Sequence, residues 1–98
     1  IFNKNNDLLY MSRSKIPGNK KNKFLKAYKQ VCVYGCRKKV LSQFGKIRIK
    51  STFENIEDIE ILRFLENNIN VKMIKTSGSE VSIDTKKDLF EARKLLKS

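Results

Sequence analysis

Ser51-Thr52-Phe53-Glu54-Asn55-Ile56-Glu57-Asp58-Ile59-Glu60-Ile61-Leu62-Arg63-Phe64-Leu65-Glu66, then Asn67-Asn68 and Val71-Lys72-Met73-Ile74, is the stretch that decides the fold class. Ser51 and Glu54 have capping-box spacing, a hydroxyl for the amide three residues on and a carboxylate that reaches back. Phe53, Ile56, Ile59, Leu62 and Leu65 recur at every third position, with Glu57, Asp58, Glu60 and Arg63 between them. That pattern predicts one amphipathic helix to about Glu66, ended by the two asparagines, with early acids matching the helix dipole. Val71–Ile74 then reads as a strand.

Working outward, Val81-Ser82-Ile83 reads as a strand running into Asp84-Thr85 and a last helix over about 86–96. Thr85 and Asp88 repeat the capping pattern, and Leu89, Ala92 and Leu96 share one side. Upstream, Leu8-Leu9-Tyr10-Met11 reads as a strand, Ile16-Pro17-Gly18-Asn19 as a turn, and Lys20-Lys21-Asn22-Lys23 as a basic loop. Val31 to Cys36 reads as a buried strand of β-branched and aromatic residues. Lys38 to Phe44 reads as a short helix stopped by Gly45. The order is strand, loop, strand, helix, loop, helix, strand, helix, which predicts an α/β sheet with helices packed on it.

The chain has 98 residues, 40% of them hydrophobic and 33% charged, which suits one thinly cored domain rather than a disordered tail. It has no His, which excludes a Ser-His-Asp triad, a His zinc ligand and an imidazole base. Two cysteines build neither a disulfide framework nor a four-thiolate site. Four apart on a strand they lie ~13 Å from each other, too far to bridge, so buried free thiols are expected. No apolar run approaches the ~20 residues that span a membrane. The start has no signal-peptide pattern. A cytoplasmic protein without membrane partners is expected, and a chain that begins Ile-Phe-Asn suggests a piece of something longer.

Charge is uneven. Residues 1–50 hold 14 basic side chains and one acid, Asp7, whereas residues 51–98 hold 8 basic and 9 acidic ones. A basic half of this strength suits a polyanion, while the excess of Lys over Arg suits a general compositional bias. Ser12 and Ser82 have no neighbouring base and are not candidates for nucleophiles. Asp84 stands where a strand hands over to a helix, the place where open α/β folds bind ligands. It is a candidate catalytic and metal-holding residue, or else the cap of the last helix.

Four segments, in order, resemble the carboxyl-terminal half of the 3-deoxy-manno-octulosonate cytidylyltransferases (CMP-Kdo synthetases), relatives of the acylneuraminate cytidylyltransferases. Leu9-Tyr10-Met11-Ser12-Arg13-Ser14-Lys15-Ile16-Pro17 is similar to the family's "ALYFSRxPIP", and Gln30-Val31-Cys32-Val33-Tyr34-Gly35-Cys36-Arg37 to its "HIGIYAYR". The segment from Ser51 to Asn67 is similar to "SPLEKLEQLEQLRALENG", and Ile83-Asp84-Thr85-Lys86-Lys87-Asp88-Leu89 to "VDTPEDL". The resemblance implies an α/β, Rossmann-like fold of the nucleotide-diphospho-sugar transferase type. Residues 1–98 would be one fragment, with strand and basic loop over 1–30 as a dimerisation element and an α/β portion over 31–98.

The implied reaction is attack of a sugar acid's hydroxyl on the α-phosphate of CTP, giving CMP-sugar and pyrophosphate with Mg²⁺. Such chemistry rests on positioning and charge neutralisation. The resemblance implies Asp84 as one of two metal-holding aspartates. Gln30, Tyr34 and Glu60 would face the sugar acid, with Arg13 near the substrates or a homodimer interface. The sequence departs from the pattern in having Gln30 for the family's His, Ile61 for a Gln, and Thr85-Lys86 for Thr-Pro. Because Ile61 cannot hydrogen-bond a hydroxyl, the sugar acid stays open. The nucleotide-binding loop and the other metal Asp are missing, so the fragment alone is expected to be inactive. Two other classes compete: a small basic nucleic-acid-binding module, with Phe24 and Tyr28 among lysines, and a dimerisation domain without a ligand site.

Overall fold

The computed structural model describes residues 1–78 and 82–97. Its helices are α1 (Lys38–Lys46), α2 (Thr52–Glu57), α3 (Ile61–Glu66) and α4 (Lys86–Lys97). The predicted helix over 51–66 is present as two, broken at Asp58, which takes a left-handed conformation (φ 53°, ψ 47°). Asp is among the few non-glycine residues that accept this region at modest cost.

The break is explained by what it joins. Arg63 Nε and Nη2 donate to the two oxygens of Glu54 at 2.6 and 2.5 Å. In an unbroken helix, residues nine apart would be separated by ~13 Å along the axis, beyond any fork-to-carboxylate contact. The bend also brings the Glu66 carboxylate to the N–H groups of Phe53 and Glu54, at 2.9 and 3.2 Å. Those are amides that the first turn of a helix leaves without partners. The Ser51 N–H donates back to Glu54 Oε2 at 3.1 Å, so this half of the predicted capping box is formed.

The core is small. Among the described residues Leu8, Ile61 and Leu62 are the buried apolar ones, and Glu54 is buried as well, at 2% exposure. Helix α1 docks through Phe44, whose ring stacks on Phe64 with centroids 4.4 Å apart while the Arg63 guanidinium covers Phe44 at 4.6 Å. At the start of the chain Phe2 pairs antiparallel with Leu8 across a turn at Asn3–Asn6, and Asp7 pairs antiparallel with Lys72. Asn3 Oδ1 accepts from the Asn5 and Asp7 amides at 2.9 and 3.0 Å, which holds the turn. Leu8 N–H donates to the Val71 carbonyl at 2.8 Å, and Met73 N–H to that of Asn6 at 2.7 Å. The Asp7–Lys72 ion pair at 2.6 Å closes the same junction.

Several expectations are corrected. Among the described residues there is no strand, only those single-residue pairings, so the expected α/β sheet is not confirmed by them. A sheet needs several strands pairing along their length. Here Val33, Ile74 and Ile83 are exposed, and Cys32 at φ 62° interrupts the extended path expected over 31–36. Both cysteines are free, as expected, but exposed rather than buried. Helix α1 runs through Gly45 to Lys46, and the apolar side of α4 is not covered, with Leu96 88% exposed. Val81, in the strand expected over 81–83, lies outside the described residues. Among the described residues no helix is long and apolar enough to cross a membrane.

Candidate active site

The segment from Tyr10 to Arg13 is anchored to the corner between α2 and α3. Glu57 Oε1 accepts from Ser12 Oγ at 2.7 Å and Tyr10 Oη at 3.3 Å, and Oε2 accepts from the Arg13 amide at 2.8 Å. The Arg13 side chain donates through Nε to the Glu57 carbonyl and through Nη2 to that of Asp58 at 3.1 Å. These are carbonyls that the end of α2 leaves open, so a guanidinium fork is well matched to them. The Arg13 amide, then Ser12, hold the Glu57 carboxyl below its usual range against an opposing effect of burial. The ion pairs of Asp58 with Arg13 (3.6 Å) and Lys50 (3.2 Å) are exposed and contribute little.

Two of the sequence-selected residues are hydrogen-bonded to each other, and a third, Glu60, lies two residues past this corner. Tyr34 Oη donates to Gln30 Oε1 at 2.5 Å. Burial raises the Tyr34 phenol above its usual range, followed by its neighbours Cys32 and Glu60, so Glu60 lies within electrostatic reach of the ring. Glu60 is exposed, occupies the position that opens α3, and also helps raise Arg63 behind the Glu54 pair. The bonded phenol and primary amide, with a carboxylate in electrostatic reach, are donors and acceptors of the kind that hold a polyhydroxylated ligand.

Asp84 belongs to a different element. The alternative that it caps α4 is settled in favour of Thr85, whose Oγ1 accepts from the Asp88 amide at 3.2 Å while Asp88 Oδ2 accepts from the Thr85 amide at 2.8 Å. The Asp84 amide donates to Asp88 Oδ2 at 3.2 Å. Its carboxylate is exposed, with no hydrogen bond or ion pair to the described residues, and no group of three or more potential metal ligands forms among them. Arg13, by contrast, is occupied at the α2–α3 corner.

Reading the sequence missed the Glu57 anchor, the Glu54–Arg63 pair and the role of Glu66 as a cap. The signal that pointed nearest to them is the excess of acids between the apolar positions of 51–66, which reads equally as a solvated face.

The model of the family described as cytidylyltransferase matches residues 1–83. Among similar proteins, the 3-deoxy-manno-octulosonate cytidylyltransferase of Thermodesulfovibrio yellowstonii is 39% identical over 104 residues, covering 98% of this chain and 40% of the relative. Those of Christiangramia forsetii and Fusobacterium nucleatum are 38% and 31% identical, covering 98% and 99% of this chain and 39% of each relative. The chain thus spans about two-fifths of the length of these relatives. The carboxyl-terminal placement expected above is not borne out by these matches. What they carry is the family: this chain belongs to the cytidylyltransferases.

Proposed function

We propose that this chain is part of an enzyme that transfers CMP from CTP to 3-deoxy-manno-octulosonate or a related sugar acid, with release of pyrophosphate. The observation that carries the reading is the family match over residues 1–83, which takes in the Gln30–Tyr34–Glu60 group. In this reading the Tyr34 phenol, the Gln30 amide and the Glu60 carboxylate orient the sugar acid through its hydroxyls. Arg13 acts as a positioning residue, because its hold on the carbonyls of residues 57 and 58 sets the start of α3, where Glu60 sits. Ile61 is buried and contributes packing, not a hydrogen bond.

Asp84 fits one ligand position of a Mg²⁺ site, since its carboxylate is exposed and Thr85 does the capping. One carboxylate is not a complete site. A bound Mg²⁺ would neutralise phosphate oxygens of the nucleotide; the remaining ligands and the nucleotide cradle belong to the rest of the longer enzyme, and the 98-residue chain alone does not turn over. A homodimer, with residues 1–30 in the contact, belongs to the same proposal.

The test is steady-state kinetics of the enzyme that contains this segment. Tyr34→Phe removes the phenol O–H and Glu60→Gln replaces one acceptor oxygen by a donor and removes the charge, so each raises the KM for the sugar acid by roughly three- to tenfold and leaves that for CTP nearly unchanged. Equal effects on both substrates, or none on the sugar acid, would refute the assignment.

A further inference from the structure

Lys26 and Lys75, far apart in sequence, converge on one aromatic ring. Their Nζ atoms lie 5.2 and 5.4 Å from the centroid of Tyr28, and Lys75 Nζ is also 5.6 Å from that of Phe2. Phe2 and Tyr28 pack against each other at 4.8 Å, tilted by 58°. Among the described residues neither ammonium has a carboxylate partner. The acid of this half of the chain, Asp7, is taken by Lys72 and by Asn70. Two like charges therefore lie close to one ring, with no carboxylate partner among the described residues. Lys26 first, then Lys75, also hold the Tyr28 phenol below its usual range.

We propose that Lys26, Tyr28 and Lys75 form a binding site for a compact phosphate-bearing anion. Two ammonium groups and a phenolic O–H match a phosphate group, which carries nearly two charges at neutral pH and strong acceptor oxygens on every side. Lysine binds such groups as a point charge, without the planar geometry that Arg requires. A single-stranded nucleic acid fits less well. Its bases need open aromatic faces for stacking, and here the rings are occupied by the two ammonium groups and by each other. The site shares no residue with the Gln30–Tyr34–Glu60 group and does not depend on the reaction proposed for it.

Calorimetric titration of the 98-residue chain with inorganic tripolyphosphate at low salt tests the site. One saturable event is expected, weakened about tenfold by Lys26→Ala and by Lys75→Ala, each of which removes a charged contact. Tyr28→Phe keeps the ring that holds both lysines and should weaken binding by only a few-fold. Lys21→Ala, a change in the same basic half at a lysine that is not one of the two over the Tyr28 ring, should leave it unaltered. Circular dichroism of each variant separates loss of binding from loss of fold. The absence of saturation, or an effect of Lys21→Ala as large as that of Lys75→Ala, would overturn the site. So would tighter binding of a single-stranded oligonucleotide of matched charge.

Discussion

Replacing Arg63 by Met probes the contact on which the broken helix depends. The guanidinium grips both oxygens of a carboxylate that is 2% exposed, and its own side chain is only 14% exposed. After the substitution, Glu54 keeps the Ser51 amide as its remaining hydrogen-bond donor. Removing one member of a buried ion pair costs roughly 3–5 kcal/mol, because the other is left as an uncompensated charge. The thin core and the surviving Ser51 bond place Arg63→Met at the lower end, about 3 kcal/mol, which is about a hundredfold in the folding equilibrium. Urea titration followed by circular dichroism at 222 nm measures this. The double variant Glu54→Met, Arg63→Met should be more stable than Arg63→Met alone, since it no longer buries a charge.

The same pair predicts a pH dependence. The Arg63 hydrogen bonds, against an opposing effect of burial, hold the Glu54 carboxyl below its ordinary value of 4.5. A depressed folded-state pKa means that the unfolded chain binds the proton more readily. The stabilisation is therefore complete above about pH 4.5 and is lost as pH falls through the lower folded-state value. Arg63→Met should remove Glu54's part of that acid slope. A loss of less than about 0.5 kcal/mol at neutral pH, or a double variant destabilised by the sum of the two single changes, would refute the reasoning.

Thr85→Ala removes the N-cap of α4 and should cost about 1 kcal/mol, seen as reduced helical ellipticity and faster amide exchange over 86–90. Asp58→Val forces a β-branched residue into the left-handed region and should destabilise the chain by about 1–2 kcal/mol, whereas Asp58→Gly should be tolerated; equal effects in a melting experiment would contradict the strain assigned there. Glu57→Ala should release residues 10–13 from the α2–α3 corner, read as accelerated hydrogen exchange at the Arg13 amide, with residues of α1 unchanged.

What was legible in the sequence was local. The Thr85–Asp88 cap and the extents of α1 and α4 follow from spacing and propensity within a few residues, and they are present with shifts of one or two positions. The helix break at Asp58 was not legible, because its cause is a set of contacts from Glu54 to Arg63, Phe53 to Glu66 and Glu57 to Arg13, which periodicity does not encode. The expected strands fail for a related reason: β-branched residues make a run suited to a sheet, but a sheet forms only where partners run alongside. Val33 and Ile74 have none among the described residues. Of the site residues, Gln30, Tyr34 and Glu60 entered through the family resemblance, not from the residue pattern, and of these Gln30 and Tyr34 are hydrogen-bonded. Asp84 is exposed, while Arg13 holds the chain at a corner that no motif announced.

The Asp84 carboxylate is proposed to contribute to a Mg²⁺-dependent transfer of CMP to a sugar acid. The most direct measurement is CMP-sugar formation from CTP by the enzyme containing this segment, with and without Asp84→Asn, over a Mg²⁺ titration, with the fold checked by circular dichroism. The expected result is a variant that keeps its fold and loses turnover at every Mg²⁺ concentration. Full activity in that variant would contradict it.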